Sequence, residues 1–179
     1  GAIKRIVKNL DPREYDIHTI AAPEKYELRH PYLWRFWNKL QTDEDITIFD
    51  RSWYGRVLVE RVEGFASEVE WQRAYDEINR FEKDLVKSQT VVIKLWLAIS
   101  KNEQEARFKA REDTPHKRFK ITADDWRNRE KWDDYLNVAA DMFERTSTAY
   151  APWYIIANND KNTARLEVLR AILKQLRAE

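Results

Sequence analysis

The stretch DITIFDRSWYGRVLVERVEGF, Asp45 to Phe65, decides how the rest of the chain is read. Ile46, Thr47, Ile48 and Phe49 form a β-favouring run that stops at Asp50. Arg51, Ser52 and a helical pattern follow at once. A strand that carries a carboxylate to the carboxyl edge of a parallel sheet puts it where open α/β sheets bind ligands. An oxygen ligand there suits Mg2+ held beside a transferring phosphate. Arg51 can turn back toward phosphate oxygens, which its planar fork grips in pairs. Asp50 also fits a plain cap of the next helix, so the residue alone leaves both readings open.

Outward from this stretch, strand and helix patterns alternate. Gly1 to Leu10 reads as a helix, with Ile3, Ile6, Val7 and Leu10 on one face, stopped by Asp11-Pro12. Tyr15 to Ala21 reads as a strand, and Glu27 to Leu40 as a helix rich in aromatics. Asp45 to Asp50 is the strand with the acidic tip, and Trp53 to Glu63 a helix ended near Gly64. Glu68 to Lys87 is a long amphipathic helix, and Thr90 to Ile99 a strand apolar on both faces. Lys101 to Glu112 and Ala123 to Tyr150 are helical, the second with room for a break. Pro152 to Ala157 is a last strand before a closing helix, Lys161 to Arg177. This order predicts a parallel α/β/α sandwich with right-handed crossovers, in one domain.

Composition narrows the function classes. Of 179 residues, 35% are charged and 13% aromatic, with eight Trp, so an aromatic core lies beneath a highly charged surface. The net charge of +1 supplies no global field for nucleic acid or membrane, and any polyanion site must be a local patch. Without Cys there is no disulfide, thiolate catalysis or Cys-ligated zinc, which suits a reducing cytoplasm. His18, His30 and His116 lack ligand spacing. No apolar run approaches the ~20 residues that span a bilayer.

The whole word DRSWYGRVLVERVEGF closely resembles the polyphosphate kinase 2 family, and the resemblance runs essentially from end to end of the chain. It implies a P-loop kinase-like, three-layer α/β/α fold with a helical lid at about residues 101–126. It implies Mg2+-dependent phosphoryl transfer between inorganic polyphosphate and a nucleotide. DRSWYGRVLVERVEGFAS with KRFKITADDW most resembles the branch that makes ADP from AMP, which can carry two kinase-like domains in tandem. Homo-oligomers are expected, with Trp34/Trp37 and Trp71/Tyr75 as core or subunit-interface stripes. Two other readings stay open: an ATP-dependent nucleoside or nucleotide kinase, and a non-catalytic piece acting in assembly.

A P-loop enzyme carries G-x-x-x-x-G-K after its first strand, and no such motif occurs here. GAIKRIVKNLDPR resembles the helix that follows the phosphate loop in that family. The expectation is therefore a domain whose first strand and phosphate loop precede Gly1, and a 179-residue chain that is by itself a poor kinase. A sheet without its central strand is expected to leave two unpaired ladders flanking a gap.

On the family pattern Asp50 is the metal carboxylate and Arg51 a phosphate ligand. Arg56 and Glu60 are spaced for an ion pair along one helix face; the resemblance instead turns Arg56 toward the polyanion, with Glu60 orienting it or the metal's water shell. The pattern R-F-x-x-R-x-x-x-P-x-K-x-x-K, from Arg107, resembles the family lid. It assigns Arg107 and Arg111 to the transferring phosphoryl group and Lys117 and Lys120 to polyphosphate, although Glu103–Arg107 also fits an ordinary helix pair. Lys4 and Arg5 are placed near bound phosphates. Tyr54 is assigned to base or ribose, while Trp53 is read as core. Asn158, Asn159, Asp160 and Lys161 fit either turn chemistry or an adenine contact.

Overall fold

Four short strands, β1 (Tyr15–Thr19), β2 (Ile46–Asp50), β3 (Lys94–Ala98) and β4 (Trp153–Ala157), form two separate parallel pairs. In the first pair Tyr15 is opposite Ile46 and Thr19 opposite Asp50; in the second Lys94 is opposite Trp153 and Ala98 opposite Ala157. This computed structural model describes residues 1–40, 46–115 and 123–177. Asp45, expected to start β2, lies outside them, as do Lys117 and Lys120.

The helices are α1 (Ala2–Ile6), α2 (Trp34–Trp37), α3 (Val59–Val62), α4 (Glu68–Lys87), α5 (Lys101–Glu112), α6 (Ala123–Glu130), α7 (Trp132–Thr146) and α8 (Lys161–Arg177). The three with the clearest sequence signals, α4, α5 and α8, keep the expected bounds. A capping box starts α4: the Glu70 carboxylate accepts both the Ser67 amide, at 2.8 Å, and the Ser67 hydroxyl, at 2.7 Å. The Ser100 hydroxyl accepts the Glu103 amide and caps α5.

Four expectations need correction. Glu27 to Leu40 is not one helix but a 3-10 turn, Glu27–Arg29, followed by the single turn of α2. Pro31 is the reason, because it forces His30 out of helical geometry to φ −117°, ψ 161°. The segment expected as one helix over Trp53 to Glu63 is a 3-10 stretch, Trp53–Val57, and then α3, with Leu58 non-helical between them. Strand β3 begins only at Lys94, because the chain before it finishes capping α4: Gln89 is left-handed and the Thr90 amide bonds to Leu85 O. The break allowed for within Ala123 to Tyr150 does fall at Lys131, but the helix ends at Thr146 rather than at Tyr150.

One core joins both strand pairs. Ile20, just past β1, and Phe49 of β2 meet Trp96 and Trp153 from the second pair around Trp53, Tyr54, Val57, Tyr75, Ile78, Phe81 and Met142. On the opposite face of β3 and β4, Leu95, Tyr154 and Ile156 pack with Ala164, Val168 and Ala171 of α8 and with Ala2 and Ile6 of α1. Layers on both faces therefore enclose β3 and β4. Ile17 and Ile46, facing away from the shared core on β1 and β2, are 41% and 42% exposed.

A polar knot sits inside the shared core. Lys94 Nζ donates to Glu82 Oε2 at 2.8 Å, to Tyr54 Oη at 2.9 Å and to Thr146 O at 2.6 Å. Glu82 Oε1 also accepts Trp53 Nε1 at 3.0 Å and the Tyr54 hydroxyl at 2.7 Å. Burial pushes the Lys94 ammonium below its ordinary value, and Glu82 opposes that shift.

Candidate active site

Asp50 ends β2 with its carboxylate exposed, and among the described residues it has no hydrogen bond or ion pair. Its backbone oxygen accepts the Ile20 amide at 3.0 Å, which fixes the strand tip against β1. Arg51 then takes a left-handed backbone, φ 65°, and Ser52 returns to an extended one. A non-glycine residue in that region costs of order 1–3 kcal/mol and tends to mark functional turns. Here it throws the chain from strand into helix within two residues and leaves the Arg51 side chain exposed beside Asp50.

The residues just downstream divide differently from the sequence expectation. Tyr54, assigned to a base or ribose, is instead a core residue at 4% exposure, its hydroxyl tied to Glu82 and Lys94. Its neighbour Trp53 is core as expected. Arg56 forms the ion pair that helix spacing allowed, Nε to Glu60 Oε2 at 2.8 Å, and approaches Glu70 Oε1 at 3.5 Å. Its guanidinium lies over the Tyr32 ring, 4.5 Å from the centroid, and only 16% of the side chain is exposed. Protein carboxylates thus hold Arg56 in place.

The segment expected to be a lid begins as a helical hairpin. Residues late in α6 contact residues early in α5, so the two helices run antiparallel. Arg129 donates to Lys101 O and Glu105 Oε2, each at 2.6 Å, while Trp126 Nε1 reaches Glu112 Oε1 at 2.9 Å. Phe108 packs edge-on to Trp126. Arg107 faces back to the strands: Nε meets Glu103 Oε1 at 2.7 Å, and one terminal nitrogen donates to the carbonyls of Asn158 and Asn159. The Arg111 side chain, one turn on, makes no hydrogen bond or ion pair among the described residues. Asn159 Oδ1 accepts the Ser100 amide at 3.0 Å, and Asp160 Oδ1 accepts the Thr163 amide at 2.7 Å. The turn and cap chemistry is therefore present at the end of β4. A cleft of about 360 Å³ opens there, lined by Ala98, Ser100, Asn159 and Thr163.

Lys4 and Arg5 are exposed on α1, away from its apolar contacts with α8. Among the described residues no group of three or more His, Asp or Glu is placed to hold a metal ion. One residue of this region carried no signal in the sequence. Glu63, capping the end of α3, accepts Lys131 Nζ at 2.9 Å and the Tyr135 hydroxyl at 3.4 Å. The Tyr135 hydroxyl is pushed up to about 12 by burial and by Glu63, against the opposing pull of Arg127 and Arg51.

A family model for Polyphosphate kinase 2 (PPK2) matches residues 1–179. The chain belongs to the polyphosphate kinase 2 family. It is 81% identical over 179 residues to a polyphosphate:AMP phosphotransferase of Acinetobacter johnsonii, covering 100% of this chain and 38% of that protein. It is 56% identical over 172 residues to a polyphosphate:AMP phosphotransferase of Pseudomonas aeruginosa, covering 96% of this chain and 35% of that protein. The crystal structure of polyphosphate kinase 2 from Arthrobacter aurescens TC1 superposes with a TM-score of 0.95 at 37% identity, over 99% of this chain and 63% of that one. This polyphosphate kinase 2 chain thus spans little more than a third of the length of the two phosphotransferases.

Proposed function

We propose that the protein carrying this chain transfers a phosphoryl group between inorganic polyphosphate and a nucleotide, with AMP as acceptor and ADP as product. The observation that carries the reading is the 81% identity to a polyphosphate:AMP phosphotransferase over the whole chain. The exposed carboxylate of Asp50 and the exposed guanidinium of Arg51, side by side at a strand tip, support it in chemical terms.

Asp50 fits Mg2+: a free oxygen ligand at a sheet edge suffices for an ion that keeps several waters and binds through one or two carboxylates plus substrate phosphates. When bound, Mg2+ supplies charge neutralisation at the phosphate oxygens. The chain's own residues orient and bind. Arg51 and Arg111 offer uncommitted guanidinium groups for phosphate oxygens, and Arg107 ties α5 to the end of β4 so that Arg111 is held in register. Lys117 and Lys120 capture polyphosphate, with Lys4 and Arg5 adding positive charge. The Arg56–Glu60 pair supports the helix beneath the site. No protein nucleophile is required, because the acceptor phosphate attacks in line.

The protein works in the cytoplasm on polyphosphate and AMP/ADP, without nucleic acid or membrane, as a homo-oligomer. No helix among the described residues is long and apolar enough to cross a membrane. Chromatographic assay of AMP with long-chain polyphosphate, with and without Mg2+, tests the reading. ADP formation dependent on both supports it, and ADP formed only when ATP replaces polyphosphate refutes it.

A further inference from the structure

The α5–α6 hairpin is joined to the rest of the molecule at two places, the end of β4, which Ser100 and Arg107 reach, and the break between α6 and α7. Lys131 occupies that break at φ −90°, ψ 25°. A single carboxylate gathers the residues around it. The Glu63 side chain is only 6% exposed, and its Oε2 lies 2.9 Å from Lys131 Nζ and 3.7 Å from Arg127 Nε. Its Oε1 accepts the Tyr135 hydroxyl at 3.4 Å. The three groups come from before, at and after the break, so one anion spans the whole junction.

Glu63 is itself firmly placed. Its amide donates to Val59 O at 2.9 Å, closing the last turn of α3. Gly64, left-handed at φ 72°, then reverses the chain so that the Phe65 and Ala66 amides both reach Glu60 O. This short helix is joined to the Asp50–Arg51 turn by the 3-10 stretch Trp53–Val57 and Leu58. The Arg51 charge pulls the Tyr135 value down, against the larger effects of burial and Glu63, so that turn lies within electrostatic reach of the junction. Solvent-exposed ion pairs contribute little, but a nearly buried carboxylate with three partners fixes geometry as well as energy.

We propose that Glu63 is a positioning residue, whose charge holds the α6–α7 junction and thereby sets the α5–α6 hairpin relative to Asp50 and Arg51. The proposal rests on the phosphotransfer reading given above. A residue of purely structural use lowers stability and leaves turnover per folded molecule unchanged. A positioning residue lowers kcat while the KM for AMP holds.

The test uses the complete protein with Glu63→Gln, Lys131→Gln and the double variant, assayed with AMP and polyphosphate alongside urea unfolding. The expected result for Glu63→Gln is a kcat lowered at least tenfold, with the KM for AMP within twofold of wild type. Because Glu63 acts through Lys131, the double variant should match the slower single variant within twofold. If Glu63→Gln does not fold, Lys131→Gln carries the test with the same expected split. An active wild type whose two single variants both keep kcat within twofold overturns this proposal alone. A wild type unable to use polyphosphate overturns the phosphotransfer reading and this proposal with it.

Discussion

Lys94 on β3 and Glu82 on α4 meet at 2.8 Å with side chains 4% and 0% exposed, the most deeply buried ion pair among the described residues. Breaking one side of such a pair strands a charge in the core and costs about 3–5 kcal/mol. Glu82→Ala should therefore lower the unfolding free energy by about that amount in urea titration. It also removes the group that opposes the lowering of the Lys94 value. A buried Lys with a depressed value destabilises while it is charged, so the deficit is full below the lowered Lys94 value. It should shrink as pH rises through the lowered Lys94 value toward 10.5, where the unfolded chain also loses its proton.

Asp50 and Arg51 allow function to be separated from folding. Asp50 is exposed and unpartnered among the described residues, so Asp50→Asn should leave stability within about 0.5 kcal/mol. The same change should lower kcat by orders of magnitude in the complete protein and alter its Mg2+ dependence. Arg51→Gly relieves the left-handed strain at φ 65° and should be neutral or slightly stabilising, yet it should lose activity. Arg51→Ala should lose activity and also keep the strain. Thermal melts and steady-state kinetics of the three variants check both halves.

Arg107 and Arg111 should no longer behave alike. Arg107→Ala removes bonds to Glu103 and to the carbonyls of Asn158 and Asn159, and so should reduce stability by about 1–3 kcal/mol as well as activity. Arg111→Ala removes no partner among the described residues. It should leave stability unchanged and lower kcat on the order of 10²-fold, as loss of a preorganised donor does. Equal effects of the two variants on both quantities would remove the distinction drawn here.

Glu27 gives a pH dependence with a clear sign. Burial would raise its carboxyl, but the Glu24 amide at 2.8 Å with Arg35 and Lys39, each at 3.4 Å, outweighs burial and holds it below the ordinary value of 4.5. A depressed carboxyl contributes stability that is complete above pH 4.5 and is lost as pH falls through the lowered value. Glu27→Gln should thus cost about 1.5–3 kcal/mol at pH 7. Its unfolding curve should converge on that of wild type in acid.

What the sequence made legible followed the range of the interaction. Helix α4 could be placed because its apolar periodicity and its Ser67/Glu70 box are local, and Asp50 could be placed because a strand run ends there. Pro31 was equally local, and its effect on His30 should have split the helix drawn across it. Tyr54 was misassigned because its partners, Glu82 and Lys94, are distant in the chain and nothing at residue 54 announces them. Glu63 was invisible for the same reason: a Glu at the end of a helix looks like surface until Lys131 and Tyr135 are seen around it. The family patterns proposed Asp50, Arg51 and Arg111 on the same footing as Tyr54 and Arg107, because a motif does not distinguish side chains that face outward from those committed to the protein.

The unequal covering of the two strand pairs sets an order in time. Amides of β3 and β4 lie between helices on both faces, so their exchange with solvent deuterium requires opening of nearly the whole fold. β1 and β2 share only one face with the core and leave Ile17 and Ile46 in contact with water. Their amides should exchange through smaller and more frequent openings. Because Asp50 and Arg51 sit at the tip of that looser pair, the proposed metal carboxylate belongs to the part of the molecule that breathes most readily. A bound nucleotide or polyphosphate should then register first as slowed exchange along Ile46–Asp50.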